Sequence, residues 1–190
     1  MSAQDRTTWD ERWSDPERGA REPSLLITGL ADLLPTRGRA LDLAGGAGRH
    51  AVWFARRGLE VTCADVSPVG LERARAAAAV AGVTITTQVL DVDDLIAGGK
   101  LESFDLIVIF HFLERRLFPR LRDLLAPGGL VLFVQPTTTN LERHAHPSAR
   151  FCLQPGEART LASSSGLELL RHDEGWLAEG RHEALLLLRR

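Results

Sequence analysis

Short apolar runs alternate with amphipathic stretches through most of the chain, and this alternation predicts its elements. "RALDLA" (39–44) is short and apolar enough for a buried strand, and "LEVTCAD" (59–65) alternates like one and ends on Asp65. "VTITTQVLDV" (83–92) is rich in β-branched residues, whereas "FDLIVIFHF" (104–112) is continuously apolar, as a strand covered on both faces must be. "LVLFVQP" (130–136) makes a fifth strand. Helical stripes fall between them. "GRHAVWFARRG" (48–58) places Ala51, Val52, Phe54 and Ala55 on one face and stops at Gly58, and Ser67 caps an alanine-rich helix that carries Pro68 in its first turn and stops at Gly82. Further helices are predicted over 24–34, 114–125 and 157–164. "GLELLRHDEG" (166–175) and "RHEALLLLRR" (181–190) read as two strands paired in a hairpin.

Strand and helix in strict succession imply an α/β, Rossmann-like, doubly wound sheet that is mostly parallel, with helices on both faces. Ligands of such sheets sit beyond the carboxyl ends of the strands, where strand order reverses. That selects the loop 44–48, Asp65 and Val66, Asp91 and Val92, and Phe110 to Phe112 as the lining of one crevice. The chain has 190 residues, 44% of them hydrophobic, enough for one core and one domain. Its formal net charge of -2 gives no electrostatic case for nucleic acid or an anionic membrane, so a small molecule is the expected partner. Two widely spaced cysteines, Cys63 and Cys152, fit a reduced compartment, and the absence of a hydrophobic leader or a bilayer-length apolar segment fits a cytoplasmic protein.

"LDLAGGAGRHA" (41–51) carries the candidate chemistry. Gly46, Gly48 and Ala51 match a dinucleotide fingerprint, in which glycines let the backbone approach a pyrophosphate at a helix N-terminus. Asp65 adds a carboxylate suited to the two hydroxyls of a ribose, its alternative being a turn or cap residue. Asp42 decides the reading: a carboxylate repels a pyrophosphate and attracts an ammonium or sulfonium. An amino-acid headgroup therefore fits, with its ammonium toward Asp42 and its carboxylate toward the helix N-terminus and Arg49. A nucleoside joined to an amino acid is S-adenosylmethionine. Asp91 is placed to accept a hydrogen bond from the adenine amine, with Val66 and Val92 clamping the ring. The alternative makes Asp91, Asp93 and Asp94 a helix cap and first turn, and no metal site is expected.

At this point the sequence resembles the class I S-adenosylmethionine-dependent methyltransferases. "LDLAGGAG", "VTCADVS", "VLDVDDL", "FDLIVIFHFL" and "LLAPGGLVLF" follow the family's order and spacing, and "WDERW", "REPSLL" and "HPSARFCLQPGEARTLASSSGLELLRHDEG" look like the tellurite-resistance and thiopurine methyltransferase group. The resemblance implies a seven-stranded sheet whose C-terminal strand is antiparallel, the loop residues Ala44, Gly45, Gly46 and Gly48 against the cofactor, and Phe110 in its wall. It also implies an organisation of 1–35 as a lid or helical segment, 36–135 as the cofactor-binding core, and 136–190 as acceptor loop and C-terminal hairpin. Trp9 and Trp13, four residues apart, belong to the lid on this view, and otherwise to a helix docked for stability.

The family's first loop glycine is Ala44 here, and an ordinary φ is expected of it. A positive φ would cost alanine about 1 kcal/mol or more.

The implied reaction is methyl transfer to a small acceptor such as a thiol or a chalcogen oxyanion, which needs no general base. For an oxygen or nitrogen acceptor His111 is the best-placed base; the favoured reading makes it a wall residue between Phe110 and Phe112. Arg116, opening a helix against its dipole, and Arg150, in the long segment 136–153, are candidates for acceptor contact. Two alternatives stay open: a nicotinamide-dependent oxidoreductase, and a non-catalytic module that binds S-adenosylmethionine.

Overall fold

A computed structural model describes residues 3–15, 22–99 and 102–190. Residues 16–21, within the segment assigned to the lid, lie outside the described residues. The strands are β1 (Arg39–Leu43), β2 (Glu60–Asp65), β3 (Thr86–Val89), β4 (Phe104–Phe110), β5 (Leu125–Pro136), β6 (Glu168–Trp176) and β7 (His182–Arg189). They form a seven-stranded sheet in the order β3-β2-β1-β4-β5-β7-β6. Neighbours from β3 to β5 are parallel, and β7 runs antiparallel to both β5 and β6. Strand order reverses between β1 and β4, so their carboxyl ends open the crevice.

Period-two alternation assigns each strand residue to a face. Leu41, Leu43, Ile107, Ile109, Val131, Phe133, Leu186 and Leu188 pack into one core layer. Ala40, Leu106, Val108, Phe110, Leu132, Val134, Leu185 and Leu187 pack into the other. The second layer is covered by α2 (Leu25–Thr28), α3 (Arg49–Arg56) and α4 (Pro68–Val80), and α1 (Ala3–Ser14) lies on α4. The first is covered by α5 (Val92–Ile96), α6 (Leu121–Leu124) and α7 (Glu157–Ser164). Asp42 shares its face with Ala40, and so enters the layer where α3 begins.

Local signals set most boundaries. The Ser67 hydroxyl accepts from the Gly70 N–H, with Pro68 at the first helical position of α4. Two expected helices are broken. Over 24–34 the chain makes α2 and then a 3₁₀ turn at Ala31–Leu33, because Gly29 weakens the helix between them. Over 114–125 it makes a 3₁₀ segment, Arg115–Arg120, before α6, because Pro119 cannot donate to the helical ladder. The third strand starts at Thr86 rather than Val83.

The expectation for Ala44 is overturned: its φ is +56°. The residue directly follows β1, and its left-handed conformation turns the chain so that Gly45 N–H reaches Ala64 O at 3.1 Å. Ala44→Gly is therefore expected to raise the unfolding free energy by about 1 kcal/mol. The reading is a higher urea midpoint at constant slope, and an unchanged or lower midpoint would mean that the turn holds no strain at this position.

Candidate functional site

Close approach fixes the turn after β1. A Cβ on Gly45 would lie 2.7 Å from Cys63 Sγ and 2.8 Å from Asp42 Cγ, and one on Gly46 would lie 2.3 Å from the Trp13 ring. Two carboxylates brace the turn. Asp42 Oδ2 accepts from Ala51 N–H in the first turn of α3 at 3.0 Å. Asp65 Oδ2 accepts from Gly46 N–H at 2.9 Å, and its Oδ1 accepts from Ser67 N–H at 2.8 Å. The turn-residue role is thus present in Asp65, and each of its oxygens keeps acceptor capacity beyond the single amide it holds.

Burial pushes the Asp42 carboxyl up to about 7; the Ala51 amide and the Arg49 charge oppose the rise, and Asp65 adds to it. Asp65 is likewise raised by burial, against the pull of the Ser67 and Gly46 amides. Sequence reasoning passed over His50, also buried here, whose Nε2 accepts from Ser24 N–H at 3.4 Å. Burial holds its pKa well below the usual imidazole value, with Arg49 and His111 adding to the effect.

These groups border a cavity of about 750 Å³, within the range of small-molecule sites. From β1 and its turn come Asp42, Ala44, Gly45, Gly46 and Gly48, and from α3 comes Arg49, whose guanidinium lies 4.8 Å from the Phe110 ring centroid. β2 and its end supply Asp65 and Val66, and β4 and its end supply Phe110 and His111. Trp9 and Trp13 roof the cavity from α1, their rings stacked with centroids 6.4 Å apart. Asp10 holds α1 down by accepting from the Ser67 hydroxyl at 2.5 Å. Trp13 Nε1 is buried without a hydrogen-bond partner among the described residues.

Four residues named from sequence lie elsewhere. Asp91 caps α5, accepting from Asp93 N–H at 2.9 Å, because the helix starts at the next residue. Val92 packs in the core. Arg116 pairs with Glu114 at 2.8 Å and with Asp93 at 2.7 Å on the surface. Arg150 stacks its guanidinium 4.4 Å from the Phe151 centroid. The segment 136–153 folds into two 3₁₀ turns, Thr138–Glu142 and Ala149–Phe151, and none of its residues lines the cavity.

His111 stands in the cavity wall beside Phe110 and Phe112. Its φ is +57°, a conformation costing on the order of 1–3 kcal/mol outside glycine, though histidine is among the residues enriched there. Its Nε2 lies 2.5 Å from Oε1 of Glu183, which is fully buried in β7. Sequence reasoning missed Glu183; the available signal was a lone carboxylate opening the run "ALLLL".

Residues 40–129 match the methyltransferase domain family. The chain is 33% identical over 108 residues to the tRNA 5-carboxymethoxyuridine methyltransferase of Escherichia coli (strain K12), covering 54% of this chain and 41% of that protein. It is 31% identical over 126 residues to the ubiquinone biosynthesis O-methyltransferase of Xanthomonas axonopodis pv. citri (strain 306), covering 64% of this chain and 52% of that protein. The match thus spans about half the length of these relatives. Among solved structures, TehB from Haemophilus influenzae shares the fold, with a TM-score of 0.68 at 20% identity over 96% of this chain and 67% of that one. The seven-stranded sheet order is thus shared with a solved methyltransferase-type fold, and the segment 40–129, which carries β1 to β4 and the braced glycine turn, is the part similar to the methyltransferase domain.

Proposed function

We propose that this chain transfers the methyl group of S-adenosylmethionine to a small-molecule acceptor. The observation that carries this reading is the convergence of two buried carboxylates, Asp42 and Asp65, with the start of α3 on one cavity. Buried carboxylates are costly unless compensated, and a cationic headgroup offsets that cost where a diphosphate would add to it. The residues present fit the cofactor on a second count: the Trp13 N–H in the roof, without a partner among the described residues, is a buried donor facing the cavity's acceptors. When bound, S-adenosylmethionine supplies an already activated methyl group on a positive sulfur.

Each side chain then has a defined task. Asp42 faces the ammonium, the α3 N-terminus and Arg49 receive the carboxylate, and Asp65 accepts from the ribose hydroxyls. Val66 packs on the adenine. Trp9 and Trp13 close the cavity from above, aligning acceptor and donor and excluding water. The nicotinamide alternative is disfavoured because Asp42 would stand against a diphosphate. A small acceptor is supported by the aromatic roof and by a net charge of -2, and no helix among the described residues is long and apolar enough to cross a membrane.

A thermal shift with S-adenosylhomocysteine and none with NAD is expected. At a hundredfold excess over Kd the stabilisation is about 2.7 kcal/mol, and an equal shift with NAD would overturn the reading. Asp65→Ala is expected to weaken S-adenosylhomocysteine binding by about 1 to 3 kcal/mol in calorimetry, whereas an unchanged Kd would remove that carboxylate from the site.

Asp42 adds a pH signature. Its folded pKa of about 7 lies above the ordinary value of 3.8, so folding favours the protonated form. That contribution is complete below the ordinary value and is lost as pH rises from there through about 7. Titration of Asp42 should therefore lower the stability of the ligand-free protein between about pH 4 and 7, and Asp42→Asn should remove that loss. A cation beside Asp42 favours its charged form, so cofactor binding near pH 6, about one unit below that pKa, should release a proton. Calorimetry in buffers of different ionisation enthalpy reads the release directly, and no difference between buffers would count against the pairing.

A further inference from the structure

The end of β4 holds a pair that the cofactor does not need. His111 N–H donates to Val134 O at 2.9 Å, which fixes the strained backbone, and its ring stacks on Phe110 with centroids 4.1 Å apart. The side chain is 31% exposed and lines the cavity, while its Nε2 meets a carboxylate with no exposure at all. Glu183 lies on the same face of β7 as Leu185 and Leu187, and its Oε2 has no partner among the described residues. Packing gives no reason for an acid at that position, since the rest of the strand's buried positions are alanine and leucine. A carboxylate sealed in an apolar layer with one hydrogen bond is costly, and an apolar side chain there costs less. Among the described residues its side-chain hydrogen-bond partner is His111.

A carboxylate only accepts. Facing Nε2, Glu183 therefore selects the imidazole tautomer protonated at Nε2 and leaves Nδ1 as the basic nitrogen. We propose that His111 is the proton acceptor for a hydroxyl group on the methyl acceptor, a phenol-type compound, and that Glu183 is the positioning residue that orients it. This rests on the methyl-transfer reading of the same cavity and refines its acceptor class. Thiols ionise near 8.5 and chalcogen oxyanions are already anionic, so neither calls for a base, whereas a phenolic hydroxyl, with a pKa of about 10, stays protonated at neutral pH. The presence of an oriented base moves the acceptor from sulfur toward oxygen. Aromatic walls from Trp9, Phe110 and Phe112 suit a flat ring. In the step, the hydroxyl proton passes to Nδ1 as the oxygen bonds the methyl carbon. The carbon–sulfur bond breaks with its electron pair left on sulfur, and the imidazolium later returns the proton to water.

The test uses the full chain with S-adenosylmethionine, following S-adenosylhomocysteine release with catechol and 3,4-dihydroxybenzoate as phenols and with thiophenol for comparison. Methylation of a phenol is expected. His111→Asn keeps a residue that tolerates left-handed backbone, and it should lower phenol turnover by about 100-fold or more. The loss with thiophenol should be at least about tenfold smaller, since only the hydroxyl must surrender a proton in the step. Glu183→Leu, which removes the acceptor that a glutamine amide oxygen would keep, should lower phenol turnover by about tenfold or more. In the ligand-free protein it should also abolish the preference for the Nε2–H tautomer in the ¹⁵N spectrum of the imidazole, a readout that mere packing would leave unmoved. S-adenosylhomocysteine binding without turnover of any phenol overturns the inference and leaves the cofactor reading intact. Equal losses with phenol and thiophenol, or an unaltered tautomer in Glu183→Leu, overturn it as well. Absence of S-adenosylhomocysteine binding sinks the proposed function and this inference together.

Discussion

Backbone amides held by buried carboxylates organise this molecule. Asp42, one residue before the end of β1, braces the first turn of α3, and Asp65 ends β2 against both Gly46 and Ser67. The two side chains join the glycine turn and the helix it opens to β2 and the loop that leads into α4. Charge-assisted hydrogen bonds of this kind are the strong ones, and in a dry interior they fix geometry as well as energy. The same desolvation that makes them strong raises both carboxyl groups toward neutrality. On the proposed reading, a site for a cationic headgroup is thus built from acids that burial alone destabilises in their charged form.

Strain collects at the same place. Among the described residues the non-glycine positions with left-handed backbone are Ala44 and His111, and each is the first residue beyond its strand. Those strands, β1 and β4, are neighbours in the sheet and flank the point where strand order reverses. An outlier of this kind persists only where surrounding contacts enforce it. Here the enforcement comes from the tight passage of Gly45 past Cys63 and from the bond of His111 to β5. The crevice is therefore shaped on both sides by backbone that the sheet holds away from its relaxed conformation.

The roof follows a different physical logic. α1 carries few apolar residues and rests on α4 through its tryptophans and the hydrogen bond between Asp10 and Ser67. Trp13 reaches the glycine turn, where the absence of a Cβ on Gly46 makes room for its ring. Arg73 of α4 adds a tie at the end of α1 by donating to Asp15 O at 2.8 Å, so polar contacts rather than an apolar face seat this helix.

Most of the architecture was legible because its causes are local. Strand and helix periods, the Ser67 cap, the proline that follows it and the glycines of the turn each act within a few residues, so the order of elements and the members of the crevice from β1, β2 and β4 followed from the chain alone. Where the structure adds to or departs from that reading, the sources are equally physical. Asp91 and Arg116 hold partners two residues away, Ala44 accepted strain that its residue type disfavours, and segment 136–153 folded without lining the cavity. The pairing of His111 with Glu183 bridges 72 residues and depends on how β7 registers between β5 and β6. Sequence by itself determined which segments become strands and which side chains face inward; only the assembled sheet decided which buried groups meet, because strand register is settled by packing across the whole core.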